Sequence, residues 1–282
     1  MKETSDDTIS LRGAGVITVI QLKKGHRFTL DSLLLADFCH IKPRDRVIEP
    51  GAGTGIISLL LAKKFPKAWF VADEFEQQVY KLLCQNIIRN GLGNIVPVDG
   101  NIRYLNRVIS PNSFDVIIAN PPYVKFGTGK KSPVIERQTA RHDQTASLSL
   151  WLNLQMLMKN KGRYFLVFAA QRLAELLSLL RKNNLEPKRL RFVHPSLNKS
   201  ASLILLEAVK GGGRGMDILP PLIVHEQNGG YTDEMKKIYE IKMQEVKKRT
   251  EDKIMMKSEY CRDEQSNSDH NSFHHRPFLA AY

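Results

Sequence analysis

From about Arg46 onward, short apolar runs alternate with amphipathic stretches. That alternation predicts βαβ units and a mainly parallel sheet. Arg46–Glu49 reads as a short buried strand running into the glycine-rich turn Gly51–Gly55, and Ile56–Lys64 follows with Ile57, Leu60 and Leu61 at helical spacing. Ala68–Ala72 is a second strand, Glu76–Asn90 a second helix, Asn94–Val98 a third strand and Phe114–Ala119 a fourth. Further along, Ser147–Met158 reads as helix, Gly162–Ala169 as strand, Gln171–Asn183 as helix, and Arg189–Val193 and Ala201–Val209 as two more strands. His194–Ser200, which joins the last pair, is shorter than the roughly twelve-residue crossover that parallel neighbours require, so that pair is antiparallel. The expected fold is α/β: a seven-stranded, mostly parallel sheet ending in one antiparallel strand, with helices on both faces and Gly211-Gly212-Gly213 closing the domain.

Composition divides the chain further. Residues 46–234 carry the α/β pattern, 1–45 form a separate N-terminal segment, and 235–282 read as a charged tail. Met235–Ile254 is highly charged and helix-permissive, and Ser258–Tyr282 has too few apolar residues to fold by itself and is expected to be disordered. His270, His274 and His275 fit an unstructured polar tail better than a metal site, and Cys39, Cys84 and Cys261 lack paired spacing, so no metal is expected. No apolar run approaches the ~20 residues of a membrane span, and Met1–Asp7 lacks the order of a signal peptide. Scattered cysteines suit a reducing compartment, and a cytoplasmic protein is expected.

Charge narrows the partner. Lys and Arg number 42 against 29 Asp and Glu, a net +13. From Lys236 to the end 10 basic residues face 8 acidic ones, a net +2, so +11 lies in the folded body. A basic body releases condensed counterions when it meets phosphates, which favours nucleic acid as partner over a merely basic surface.

Two turns carry the candidate chemistry. Glu49-Pro50-Gly51-Ala52-Gly53-Thr54-Gly55 joins a strand to a helix, with glycine at every second position. Such a loop turns tightly and keeps side chains away from an incoming ligand at the carboxyl end of a strand. It lacks the Gly-Lys-Ser/Thr ending of a phosphate loop and the spacing of the dinucleotide fingerprint; alone, it would also suit a plain structural turn. Asp73-Glu74, about twenty residues on, ends the next strand where a carboxylate can take the two ribose hydroxyls of an adenosine. Glu74 is preferred for that role, since Asp73 can face the strand, and one of the two can instead cap the following helix. In Asp99-Gly100-Asn101, the Asn101 amide can meet an adenine edge or simply close a turn.

The second turn is Asn120-Pro121-Pro122-Tyr123, directly after the apolar strand Phe114–Ala119. Consecutive prolines stiffen it and remove two backbone donors. The Asn120 side-chain oxygen and the Pro121 carbonyl can then grip the hydrogens of a planar NH2 group. An amine conjugated to a ring or carbonyl is a poor nucleophile, and two acceptors pull it toward a pyramidal form whose lone pair faces a methyl sulfonium. Tyr123 offers a face for the planar substrate to stack on. Alignment and electrostatics supply most of the catalysis, because the amine becomes acidic only after transfer.

Over Arg12 to about Tyr239 the chain resembles the bacterial adenine-N6 methyltransferases that modify valine tRNA beside the anticodon. The resemblance rests on Gly25-His26-Arg27-Phe28-Thr29-Leu30-Asp31, Glu49–Gly55, Asn120–Tyr123, Ala140-Arg141-His142-Asp143, Pro220–His225 and Tyr231-Thr232. It implies a Rossmann-like class I methyltransferase fold, S-adenosylmethionine as donor and tRNA as partner. It also implies that Phe28 and Asp31, from the N-terminal segment, help form the cofactor pocket and that Asn120 and Tyr123 hold the target base. Two departures stand out: Glu49 replaces the more usual Asp, and Asp143 stands where Glu is common.

Tyr123–His142 contains Lys125, Lys130, Lys131, Arg137, Arg141 and His142 against the single acid Glu136. Placed beside the chemistry, this loop reads as a clamp on phosphates around a flipped base; with Pro122 and Tyr123 it forms the expected substrate side. Lys188, Arg189, Arg191, His194 and Lys199 form a second basic cluster, suited equally to solubility or to RNA contact. Protein-glutamine methyltransferases acting on release factors also use an Asn-Pro-Pro-Tyr turn, but they typically carry an N-terminal helical domain for which the stretch before Arg46 is short. A guanine-N2 methyltransferase of ribosomal RNA, and an RNA-binding module that keeps the fold without activity, are the remaining alternatives.

Overall fold

The computed structural model describes residues 3–23, 28–121 and 148–239. One compact unit covers Met1–Glu240; the second, Ile241–Tyr282, falls outside the described residues. The chain opens with an antiparallel hairpin, β1 (Thr4–Leu11) and β2 (Gly15–Leu22), which the apolar pattern from Arg46 onward did not cover. Helix α1 (Leu30–Phe38) leads to β3 (Arg46–Glu49), α2 (Ile56–Lys64), β4 (Trp69–Glu74), α3 (Gln77–Arg89), β5 (Ile95–Asp99), α4 (Leu105–Val108) and β6 (Phe114–Ala119). After the undescribed stretch come α5, described over 148–153, a 3-10 turn Leu154–Leu157, β7 (Met158–Ala169), α6 (Leu173–Lys182), β8 (Leu185–Ser196) and β9 (Leu203–Lys210). The expected helix over Ser147–Met158 therefore ends earlier, at Asn153, and Met158 already belongs to a strand.

The sheet runs β10-β8-β9-β7-β6-β3-β4-β5, with β11 also beside β8. Every pairing is parallel except those of β9 with β7 and β8. The antiparallel strand thus does not end the sheet but fills the slot between β7 and β8. The physical reason lies in its composition. Leu203–Ala208 is buried without interruption, as an interior strand requires, whereas β8 mixes Lys188, Arg189 and Arg191 into its run and suits a place nearer the edge. Nor does the domain close at the triple glycine. β10 (Asp217–Ile218) and β11 (Leu222–His225) pair with β8, and α7 (Asp233–Tyr239) buries Met235 and Ile238, which sequence reading had left in the tail.

Core packing forms two layers. One face of the sheet is covered by α1, α2, part of α3, the hairpin and α7, and the other by α4, α5 and α6. Two asparagines one helical turn apart dock the hairpin. The Asn90 amide exchanges two hydrogen bonds with the Thr18 backbone (3.0 and 2.8 Å), and that of Asn86 does the same with Ile20 (2.7 and 3.0 Å). Side chains on α3 thereby substitute for a neighbouring strand, satisfying backbone groups that burial would otherwise strand.

The second basic cluster is largely consumed by the fold. Arg189 donates to Glu207 (2.8 Å), Arg191 grips both oxygens of Glu234 and the Pro220 carbonyl, and His194 bonds the Lys199 carbonyl. These contacts join β8 to β9, to the Pro220 segment before β11 and to α7, so Arg189 and Arg191 are spent within the fold, a role outside the two expected ones.

Candidate active site

Because β3, β4, β5 and β6 run parallel, their carboxyl ends deliver Glu49, Glu74, Asp99 and Asn120 to one edge of the sheet. The glycine turn leaves β3 there. Gly55 precedes α2 at φ +89°, and a Cβ on it would come within 2.4 Å of Leu83 Cδ1 on α3, so glycine is required both for the turn and for helix packing. Gly53, at φ +60°, has nothing within 4 Å of where a Cβ would sit, and its amide donates to Glu74 Oε2 at 2.8 Å. The loop is held from below as well: Asn86 Nδ2 donates to the Thr54 carbonyl and the Ala52 amide to the Asp73 carbonyl.

A cavity of about 120 Å³ opens over this turn, lined by Phe28, Ser32, Glu49, Gly51–Thr54, Ile56, Ile57 and Asn120. The cavity brings together Phe28, Glu49, Gly51, Gly53 and Asn120 from the sequence-derived set. Asp31 does not line it; the residue is buried in the first turn of α1, and its neighbour Ser32 faces the cavity instead. Ser32 was missed, since a serine inside an apolar helix carries no signal until its partner is known. That partner is Asn120, whose Nδ2 donates to Ser32 Oγ at 3.1 Å. With the amide nitrogen so engaged, the side-chain oxygen is the atom left to meet a substrate NH2. Removing the hydroxyl by Ser32→Ala is expected to lower kcat about five- to tenfold, the value of one hydrogen bond, with cofactor affinity within twofold. Unchanged single-turnover rates would refute this orienting role.

Glu49 is fully buried and accepts from both the amide and the hydroxyl of Ser58 in the first turn of α2. Burial pushes its pKa up to about 7, against the opposing pull of the Ser58 bonds. Asp73 is likewise raised to about 7, by burial and then by the charge of Glu74. It lies under the loop rather than on the cavity, with Oδ1 unpartnered among the described residues and close against Gly100. Glu74 is the more exposed of the pair. Its two oxygens accept from Gly53 and Glu76, so it braces the glycine turn and holds the chain just ahead of α3, and each oxygen keeps a further lone pair. Phe75 follows with its ring 65% exposed, an apolar face beside that carboxylate which sequence reading passed over. Asn101 uses its side-chain oxygen to accept the Arg103 amide (3.0 Å), so it closes a turn with that oxygen. Pro121 is buried where the described chain stops. Pro122, Tyr123, Lys130, Lys131, Arg137, Arg141 and His142 lie outside the described residues. Among the described residues no cluster of three or more His, Cys, Asp or Glu is placed to hold a metal, and no helix is long and apolar enough to cross a membrane.

Residues 13–145 match the methyltransferase small domain. The chain is a methyltransferase, and its likeness to that domain spans just under half of its length. A tRNA1(Val) (adenine(37)-N6)-methyltransferase from Vibrio campbellii is 25% identical over 75% of this methyltransferase and 86% of its own length. The protein of the same name from Parabacteroides distasonis is 28% identical over 63% and 74%, respectively. Among solved structures, a predicted O-methyltransferase from Agrobacterium tumefaciens superposes with a TM-score of 0.59 at 19% identity. The superposition covers 75% of this chain and 96% of that one, and it shows the shared Rossmann-like fold. The methyl donor of the methyltransferase is S-adenosylmethionine. The donor set suits it: a glycine turn open to a ligand at Gly53, a carboxylate at Glu74 for ribose hydroxyls, and a buried acid at Glu49 beside the cavity for a cationic group.

Proposed function

We propose that this methyltransferase moves a methyl group from S-adenosylmethionine to the exocyclic N6 of an adenine in tRNA, and that it acts in the cytoplasm. The carrying observation is Asn120, the first residue of Asn-Pro-Pro-Tyr, whose amide nitrogen is tied to Ser32 on the wall of the cofactor cavity. In this reading Gly53 keeps the chain clear of the donor, Gly51 turns the loop beneath it against Trp151, Glu74 takes the ribose, and Phe28 packs against the bound donor. The Asn120 oxygen and Pro121 carbonyl hold the N6 hydrogens, Tyr123 stacks on the ring, and Lys130, Lys131, Arg137, Arg141 and His142 hold flanking phosphates. The donor supplies an electrophilic methyl group, and the residues align the amine with it while excluding water. The net +11 of the body and the names of the relatives support tRNA over a release factor.

The test is methylation of bulk tRNA, ribosomal RNA and a release factor with labelled S-adenosylmethionine, followed by nucleoside analysis. N6-methyladenosine in tRNA supports the reading; label confined to the release factor or ribosomal RNA refutes it. The cofactor site carries its own signature. Glu49 with a pKa near 7 carries its charge only above that value, so if it faces the cationic ammonium of the donor, affinity should rise as pH goes from 6 to 8. Calorimetry should show that rise in the native protein and a flat profile in Glu49→Gln. A flat native profile would remove Glu49 from cofactor binding.

A further inference from the structure

Beyond Asp99, the edge of the sheet carries a feature that methyl transfer itself does not use. The Asn101 carbonyl and side-chain oxygens accept from Tyr104 and Arg103, and the Tyr104 carbonyl accepts the Arg107 amide at 2.8 Å, so the chain turns twice in succession. Leu105 is fully buried beneath, anchoring α4 to the core. Above it, Tyr104 stands 51% exposed, and the guanidinium of Arg107 lies over its ring at 5.2 Å from the centroid. Arg103, Asn106 and Arg107 are also exposed. From Gly100 to Phe114 the sequence holds no acid, and among the described residues no carboxylate pairs with Arg107.

We infer that Tyr104 and Arg107 form a stacking platform for the RNA strand flanking the target adenine. An exposed aromatic face beside a guanidinium is what unpaired bases stack on regardless of sequence, and the same guanidinium can reach a phosphate. The place fits. Strand β5 runs parallel to β4, β3 and β6, so its last residue, Asp99, lies on the edge that holds Asn120, three strand spacings across the sheet, or roughly 14 Å. Tyr104 follows five residues after Asp99, where Leu105 packs back against Gly100, so an RNA segment crossing that edge can reach both. Preorganisation favours binding too, since the buried Leu105 and the two turns hold the platform in place before RNA arrives. The inference rests on the RNA reading of the function and adds a contact outside the basic loop.

The experiment uses the full chain with Tyr104→Ala, Arg107→Ala and the double variant, measuring RNA affinity across salt concentrations together with kcat and KM for tRNA. The expected result is a KM for RNA raised about tenfold or more in the double variant, kcat at saturating RNA within twofold, and unchanged S-adenosylmethionine affinity. Tyr104→Phe should retain native affinity because stacking needs the ring and not the hydroxyl, and Arg107→Ala should flatten the salt dependence by about 0.7 in slope. Melting curves check that these surface changes leave the fold intact. Unchanged KM with an active native enzyme overturns the platform while leaving tRNA methylation standing. Weakened cofactor binding in Tyr104→Ala also overturns it, by assigning the ring to the donor. A native enzyme that modifies no RNA but does modify protein fails the functional reading itself.

Discussion

Asn120→Ala is expected to cut kcat on tRNA by about 10²- to 10³-fold, the loss seen when one preorganised transition-state partner is removed, while S-adenosylmethionine affinity changes less than threefold. In the proposed reaction the Asn120 oxygen works as the amine pyramidalises, so its removal is expected to fall on the chemical step rather than on ground-state binding. Ser32 alone then has nothing to orient, so the double variant Ser32→Ala/Asn120→Ala should be no slower than Asn120→Ala. Single-turnover methylation with saturating RNA and donor reads both effects. A kcat within tenfold of native for Asn120→Ala would remove this residue from the transition state. Additive losses in the double variant would separate Ser32 from Asn120 and assign it to the cavity wall alone.

A second large effect is expected in stability at the opposite end of the sheet. Arg163, near the start of β7, donates to Asp45 before β3 and to the His40 carbonyl after α1, with both charged side chains only about a tenth exposed. Asp45 in turn accepts the Lys42 amide at 2.6 Å. Arg163→Met leaves the Asp45 carboxylate buried without its cation, which costs about 3–5 kcal/mol. For a unit of this size that lowers Tm by about 10 °C. Since the pair lies far from Asn120 along the strands, kcat per folded molecule should remain native. Urea unfolding gives the stability directly, and a loss under 1 kcal/mol would show that water reaches the pair. Asp45→Asn combined with Arg163→Met should recover part of the loss, because no uncompensated charge then remains.

Much of the α/β pattern was legible because strands buried on both faces are short apolar runs. Arg46–Glu49 and Phe114–Ala119 have the expected limits, and Ile56–Lys64 forms the expected helix. The hairpin was not legible in the same way. Thr4–Thr8 holds no apolar residue, Val16–Leu22 is broken only by Thr18 and Gln21, and the hairpin's docking depends on Asn86 and Asn90, more than sixty residues away. The glycine turn was legible because its residues are adjacent in the chain, and Glu49, Gly51 and Gly53 line the cavity together. The cavity wall was misread where one position on α1 decides which side chain reaches the cavity, so that Ser32 lines it and Asp31 does not.

By itself the sequence determined the alternation of strands and helices from Arg46 to Lys64 and on to Ala119, the glycine turn, the Asn120–Tyr123 motif and the basic character of the body, because each is written in neighbouring residues. Tertiary structure alone decided where β9 sits, which of the arginines on β8 are spent on Glu207 and Glu234, and which hydroxyl orients Asn120. Those outcomes depend on pairings between distant segments. A local pattern says that a residue will be buried or charged, and only the packed chain says against what.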